Sequence, residues 1–404
     1  MPCYTYVAMK MQLKELLLLH FLNDGVRTSF IILLPFIAKD LSLSLTQVGF
    51  LGSSQPLIAA LLALPAGFLM AKFKGSHMIL LLLFAYSLAA MGVSIAPNVF
   101  ILIFTYLIAS LGFAMFHTVG FSLTAKSSNP GDVGRNMGNF TAIGDIGRIT
   151  IPTAAVLISS FIGWRTTMVI IGAIGILLFF VFRLTIKSKD IGSSPNINFQ
   201  NYKEFFNDII AVFRQKHAIS ITIVAILDSL ASSPIFVYLP FLLVKKGETP
   251  FELSIAMGSF FVGSLVGKML LGRAVDKFGN VAVFIISEIC MAISIIFIAY
   301  SNQLLLILFF AIMLGVFTKG TSPVIQTMFS QLSHKDHYHK VFAVSELVIG
   351  LSGVIAIVIM GNIADKAGIM WIFYLTAALA VLATLPIYAF SKTKGFPQQF
   401  KEIN

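Results

Sequence analysis

Residues 15–38 read ELLLLHFLNDGVRTSFIILLPFIA. A bilayer crossing takes about 20 apolar residues, so the run is long enough to span. It is too long for the apolar core of a cleaved leader. Inside it stand Asn23, Asp24 and Arg27. A charge at the bilayer centre costs at least ~2.5–3.5 kcal/mol, so such side chains face a bundle interior or a wet cavity. The stretch returns in the second half. Leu22-Asn23-Asp24 through Leu34-Pro35-Phe36 aligns without gaps on Leu227-Asp228-Ser229 through Leu239-Pro240-Phe241.

The rest of the chain agrees with a membrane interior. Of 404 residues, 57% are hydrophobic and 11% charged, and the mean hydropathy is +0.92. A soluble domain is about a quarter charged. Further apolar runs fall at 47–71, 77–96, 99–125, 136–161, 166–186, 217–244, 251–272, 280–300, 303–330, 340–364 and 369–391. A polar stretch, 187–216, separates the first six runs from the last six. Phe205, Phe206, Ile209, Ile210 and Phe213 are spaced there for one face of an interfacial helix. The expected architecture is all-α and integral to the membrane, with twelve transmembrane helices in two pseudo-symmetric six-helix halves. The domains are then 1–186, a cytoplasmic linker 187–216, and 217–404.

Charge sets the orientation. With the N-terminus in the cytoplasm, only Lys39, Arg165, Lys245, Lys246 and Lys366 of the 28 Lys and Arg lie on the outer side. Arg27, Arg148, Lys268 and Lys319 lie within spans, and all the others are cytoplasmic. This obeys the positive-inside rule with both termini inside. It also accounts for the net charge of +11 without a nucleic-acid partner. The partners expected are a small-molecule substrate, protons and membrane lipid. Cys3 and Cys290 have no metal-ligand spacing, and neither metal nor cofactor is expected. Gly263-x-x-x-Gly267-Lys268 is one residue short of a nucleotide-binding loop and lacks the following Ser or Thr.

Depth counted at ~1.5 Å per residue puts Asp24, Arg27, His117, Asp145, Arg148, Asp228 and Lys319 at roughly 12–18 Å from the cytoplasmic face. That is near the middle of a core about 30 Å thick. Asp24/Arg27 and Asp145/Arg148 are i,i+3 pairs that share a helical face. Each pair reads either as a neutralised structural contact or as a clamp for an anionic cargo, since Arg offers a planar fork. Asp228 has no cation within one turn, and Lys319 at matching depth is its expected partner. Lys268 lies near a span end and Glu288 on a span expected at the periphery, so both read as structural. Glu346 is shallow and is expected to pair with Lys268 or to serve an inner gate.

Two parallel six-helix repeats resemble the major facilitator superfamily. The loop after span eight strengthens the resemblance. Gly272, Asp276, Lys277 and Gly279 match that family's motif A, while the first-half copy begins at Gly67 and has Ala71 where the family places aspartate. A narrower resemblance is to fosmidomycin-resistance-type and drug:proton exporters. It rests on His20-Phe21-Leu22-Asn23-Asp24, Leu34-Pro35-Phe36 and Leu43 to Gly49, and on Phe116-His117-Thr118-Val119-Gly120, which departs from Phe-His-Pro-Glu-Gly at Thr118 and Val119. Gly144, Gly147 and Pro152 loosely resemble the antiporter motif of such exporters.

The resemblance implies that spans one, four, seven and ten line a central cavity and that the chain acts as a monomer in a bacterial cytoplasmic membrane. The expected function is proton-coupled export of a small organic molecule, an anion among the options, and not enzyme catalysis. Arg27, Asp24, His117, Lys319 and Arg148 are the substrate-binding candidates, with Arg27 and Lys319 as the cationic pair. Asp228, Asp24, Asp145 and Glu346 are the proton-coupling candidates, Asp228 foremost. Gly67, Gly272, Asp276, Lys277 and Gly279 are the gating candidates. Proton-driven uptake of an organic anion, or a non-transporting sensor or assembly component on the same fold, are the competing readings.

Overall fold

Apolar runs of this length have one stable form in lipid, the α-helix, because every backbone donor and acceptor is then satisfied within the segment. The computed structural model bears this out over residues 2–72, 75–128, 132–185, 216–330 and 338–392, which are the residues it describes. Its helices are α1 (Pro2–Ile32), α2 (Leu34–Asp40), α3 (Leu45–Lys72), α4 (Gly75–Ser94), α5 (Val99–Lys126) and α6 (Val133–Thr185). They continue as α7 (Lys216–Lys245), α8 (Pro250–Phe278), α9 (Asn280–Tyr300), α10 (Leu304–Ser330), α11 (Tyr338–Ala367) and α12 (Met370–Ser391). The linker segment with its interfacial-helix motif lies outside the described residues.

Two local features reshape the expected spans. The first span is bent by 42° between Leu13–Ile32 and Leu34–Asp40. Pro35 at the start of α2 cannot donate a backbone hydrogen bond and crowds the preceding turn. Spans five and six run together as α6 and part at Gly163 (φ 79, ψ 156), a conformation open in practice only to glycine. Among the described residues, ten helices are long and apolar enough to cross a membrane, or eleven with the bent pair taken as one span. Dividing α6 at Gly163 adds the twelfth.

The chain divides into two compact units, residues 1–43 with 54–197, and 44–53 with 198–404. In the first, α1 packs on α6, and α4 on α5 and α6. In the second, α7 packs on α11 and α12, α9 on α10 and α12, and α8 on α10. The order of pairing is thus repeated: first span on fifth, third on fourth, third on sixth.

Glycines set the closest of these contacts. A Cβ at Gly263 would strike the Ile312 carbonyl, one at Gly267 the Val316 carbonyl, and one at Gly315 the Phe260 carbonyl. The pattern dismissed above as a nucleotide loop is therefore a helix-packing seam between α8 and α10. Large apolar side chains such as Phe161, Leu184 and Leu305 point outward, while Asp24, Asp145, Asp228 and Glu288 are buried. This inversion of the soluble pattern is what lipid as solvent demands.

Candidate functional site

The first unit is organised around Asp24 on α1, which is 1% exposed. A carboxylate in this setting is tolerated only when cations and donors surround it. Arg148 of α6 places Nη2 2.5 Å from Asp24 Oδ2, and its Nη1 donates to Asp145 Oδ1 at 3.0 Å. His117 of α5 brings Nε2 to 3.1 Å from Asp24 Oδ1. Asn23 Nδ2 donates to the same oxygen at 3.1 Å. Arg27 acts electrostatically on Asp24 and Arg148, with Tyr106 also in reach. The predicted Asp145/Arg148 pair is therefore present. The expected Asp24/Arg27 pair is displaced by a contact between helices, because Arg148 can serve two carboxylates at once.

His20 completes the cluster from one turn before Asp24. Its ring stacks on Phe140 at 3.8 Å between centroids and on Phe116 at 5.9 Å. Gly144 leaves it room, since a Cβ there would lie 2.5 Å from His20 Cε1. Its Nδ1 is 2.6 Å from the Phe140 carbonyl oxygen. A carbonyl only accepts, so Nδ1 carries a proton. Nε2 then faces Asp24 Oδ2 at 3.4 Å, and that contact becomes a hydrogen bond only when His20 holds a second proton.

His20, Asp24 and His117 offer donor atoms within 4.8 Å of one another, a spacing that a metal ion could use. Arg148 already puts a fixed positive charge on Asp24. The donor set suits protons and hydrogen-bonding cargo better than a divalent cation.

His20 enters the sequence analysis as part of the family resemblance, and Asn23 there and as a polar residue of the first span, and neither is given a site role. The signal was the i,i+4 spacing of His20 and Asp24, which puts both on one face. Gly147 lets the α1 backbone approach at Phe21, and Pro152 lies within α6. The Gly/Pro resemblance in span five thus has at least a packing basis.

In the second unit Asp228 is 5% exposed and Glu288 0% exposed. Asp228 on α7 meets the side chains of Glu288 on α9 and Thr321 on α10, and Lys319 acts on it electrostatically. Lys319 thus bears on Asp228 through its charge, while Glu288, expected to be structural, is a buried carboxyl beside Asp228. Glu346 accepts from Gln326 Nε2 at 2.7 Å.

The motif after span eight sits at the end of α8. Asp276 and Lys277 are exposed, and Lys277 Nζ lies 5.2 Å over the Phe278 ring. Gly272 has open space where a Cβ would stand. Gly279 (φ 76, ψ 158) makes the turn into α9. Gly67 lies in α3, where only the backbone is described.

Three comparisons bear on this arrangement. The profile described as Major Facilitator Superfamily matches residues 16–245 and 221–403. The chain is 22% identical over 372 residues to the multi-drug resistance efflux pump PmrA of Streptococcus pneumoniae serotype 4, covering 91% of this chain and 92% of that protein. Among solved structures, a bacterial homolog of the human lysosomal transporter Spinster, inward-facing and unoccupied, is similar with a TM-score of 0.77. Identity there is 16%, covering 95% of this chain and 96% of the other. The nucleoside transporter NupG is similar with a TM-score of 0.78 and 15% identity, covering 95% of this chain and 100% of the other. At these identities the solved structures speak for the fold alone.

Proposed function

This chain belongs to the Major Facilitator Superfamily, and from that membership we propose that it exports a small organic molecule by alternating access, driven by protons moving the other way. It is a multi-pass membrane transporter and not an enzyme. The name of the Streptococcus pneumoniae relative supports export. We place it in a bacterial cytoplasmic membrane as a monomer with both termini inside, in keeping with its Lys and Arg distribution.

The observation that carries the proposal is the Asp24 cluster. Asp24 is 1% exposed, while Arg148 and His117 are each 25% exposed. A cargo therefore meets the donors first and the carboxylate behind them. This supports a cargo with an anionic or hydrogen-bond-accepting group, held by Arg148, His117 and Arg27. Lys319 offers a cation of the same kind in the second unit. Asp24 would then be the counter-ion from which those donors are borrowed.

For coupling, Asp228 is the first carboxylate, with Asp24, Asp145 and Glu346 as the further ones. Arg148 holds both Asp24 and Asp145. The segment Gly272, Asp276, Lys277 and Gly279 is proposed to govern gating at the inner end, with Gly67 marking its first-half copy.

Inside-out vesicles test direction and coupling together. Acidifying their interior should drive accumulation of members of a panel of fluorescent organic anions and cations. A protonophore should abolish that accumulation, and so should Asp228→Asn, while exchange between equilibrated compartments continues in the variant. Accumulation only in right-side-out vesicles would reverse the direction. Accumulation indifferent to the gradient would remove protons from the scheme.

A further inference from the structure

We infer that Glu288 and Asp228 form a proton-sharing carboxyl pair, with Glu288 as the member that stores the proton and Asp228 as the member that exchanges it. This deepens the coupling role proposed for Asp228 and rests on it. Glu288 is 0% exposed. Neither of its carboxyl oxygens meets a hydrogen-bond donor among the described residues, and Asp228 Oδ1 is equally unserved. The two buried carboxyl groups nevertheless face each other within hydrogen-bonding reach. Two carboxylates can only accept, so a bond between them requires a proton.

The surroundings leave that proton few alternatives. Ser287, beside Glu288 on α9, commits its hydroxyl to the Val283 carbonyl at 2.7 Å. The packed neighbour α12 carries no Asp, Glu, Lys, Arg or His along Met370–Ser391. From α10, Lys319 acts on Asp228. A buried carboxyl without a cation or donor keeps its proton rather than ionise. Asp228, with Lys319 and Thr321 at its side, is the member that can release one. Glu288 therefore reaches protons through Asp228, and it is a positioning residue for coupling rather than a contact for cargo.

Infrared spectroscopy of the purified full chain in lipid nanodiscs, without substrate, tests the pair. The wild type should show a protonated carboxyl carbonyl band at neutral pH that shifts in deuterium oxide. Glu288→Gln should lose that component, because Asp228 is left with Lys319 and ionises. Asp228→Asn should keep it at a shifted frequency, because Glu288 remains buried. If Glu288→Gln does not yield folded protein, the Asp228→Asn spectrum decides alone. A wild type without the band, an unchanged band in folded Glu288→Gln, or its loss in Asp228→Asn would each overturn the inference. The spectrum needs no transport, so a chain that fails to export in vesicles but shows this pattern separates the two proposals.

Discussion

The carboxylate of Asp24 lies 2.5 Å from a guanidinium nitrogen of Arg148 on another helix, although Arg27 stands one turn along its own. The cross-helix contact wins on geometry. The Arg148 fork reaches Asp24 with one nitrogen and Asp145 with another, so one cation neutralises two buried acids. Charge-assisted bonds of this kind are about twice as strong as neutral ones.

Removing that fork takes the guanidinium contact from both acids and leaves His117 and Asn23 to serve Asp24. Breaking a buried ion pair typically costs about 3–5 kcal/mol, and Arg148→Ala is expected to fall in that range. Arg27→Ala leaves Asp24 and Asp145 paired and should unfold nearer the wild-type temperature. Thermal unfolding of the purified proteins in one detergent checks the order. An Arg27 variant less stable than the Arg148 variant would contradict it.

Gly144→Ala should impair transport without unwinding its helix. The added methyl meets the His20 ring at 2.5 Å, while alanine favours a helix over glycine by about 1 kcal/mol. Gly138→Ala on the same helix is the control, since nothing lies within 4 Å of its Cβ position. Circular dichroism should be unchanged in both, with accumulation of the fluorescent panel altered only in the first. Equal transport in the two variants would deny His20 its place in the cluster.

Asp365 caps the start of α3. Its carboxylate accepts from Leu45 N at 2.7 Å, Thr46 N at 2.9 Å and Thr46 Oγ1 at 2.5 Å. Losing a cap of this sort costs about 0.5–2 kcal/mol. Asp365→Ala should lower the melting temperature, and Asp365→Asn should lower it less, since an amide oxygen still accepts. Faster amide exchange at Leu45 and Thr46 would localise the effect.

Spans were legible because lipid allows few alternatives for a long apolar run. Breaks inside them were not. The same Leu-Pro-Phe triplet ends α1 before Pro35, yet α7 runs straight through Pro240. Local sequence states the strain of a proline, whereas packing decides where it is released. The site divides in a similar way. Asp145 and Arg148 are partners one turn apart, as their spacing suggests, although the same spacing at Asp24 and Arg27 does not yield the pair. Arg148 reaching Asp24, and Glu288 meeting Asp228, join residues far apart in the chain, and helix periodicity carries no information about which neighbour a face will find.

The glycine seam between α8 and α10 has a mechanical consequence. With the backbone of each helix seated where the other has no side chain, there is no slack for a small slide. Displacement by a fraction of a turn would drive a carbonyl into a Cβ, and the next register lies about 5.4 Å away. The two helices therefore behave as one plank. Asp276 and Lys277 at the end of α8 and Lys319 on α10 thus stand on two helices joined by this seam.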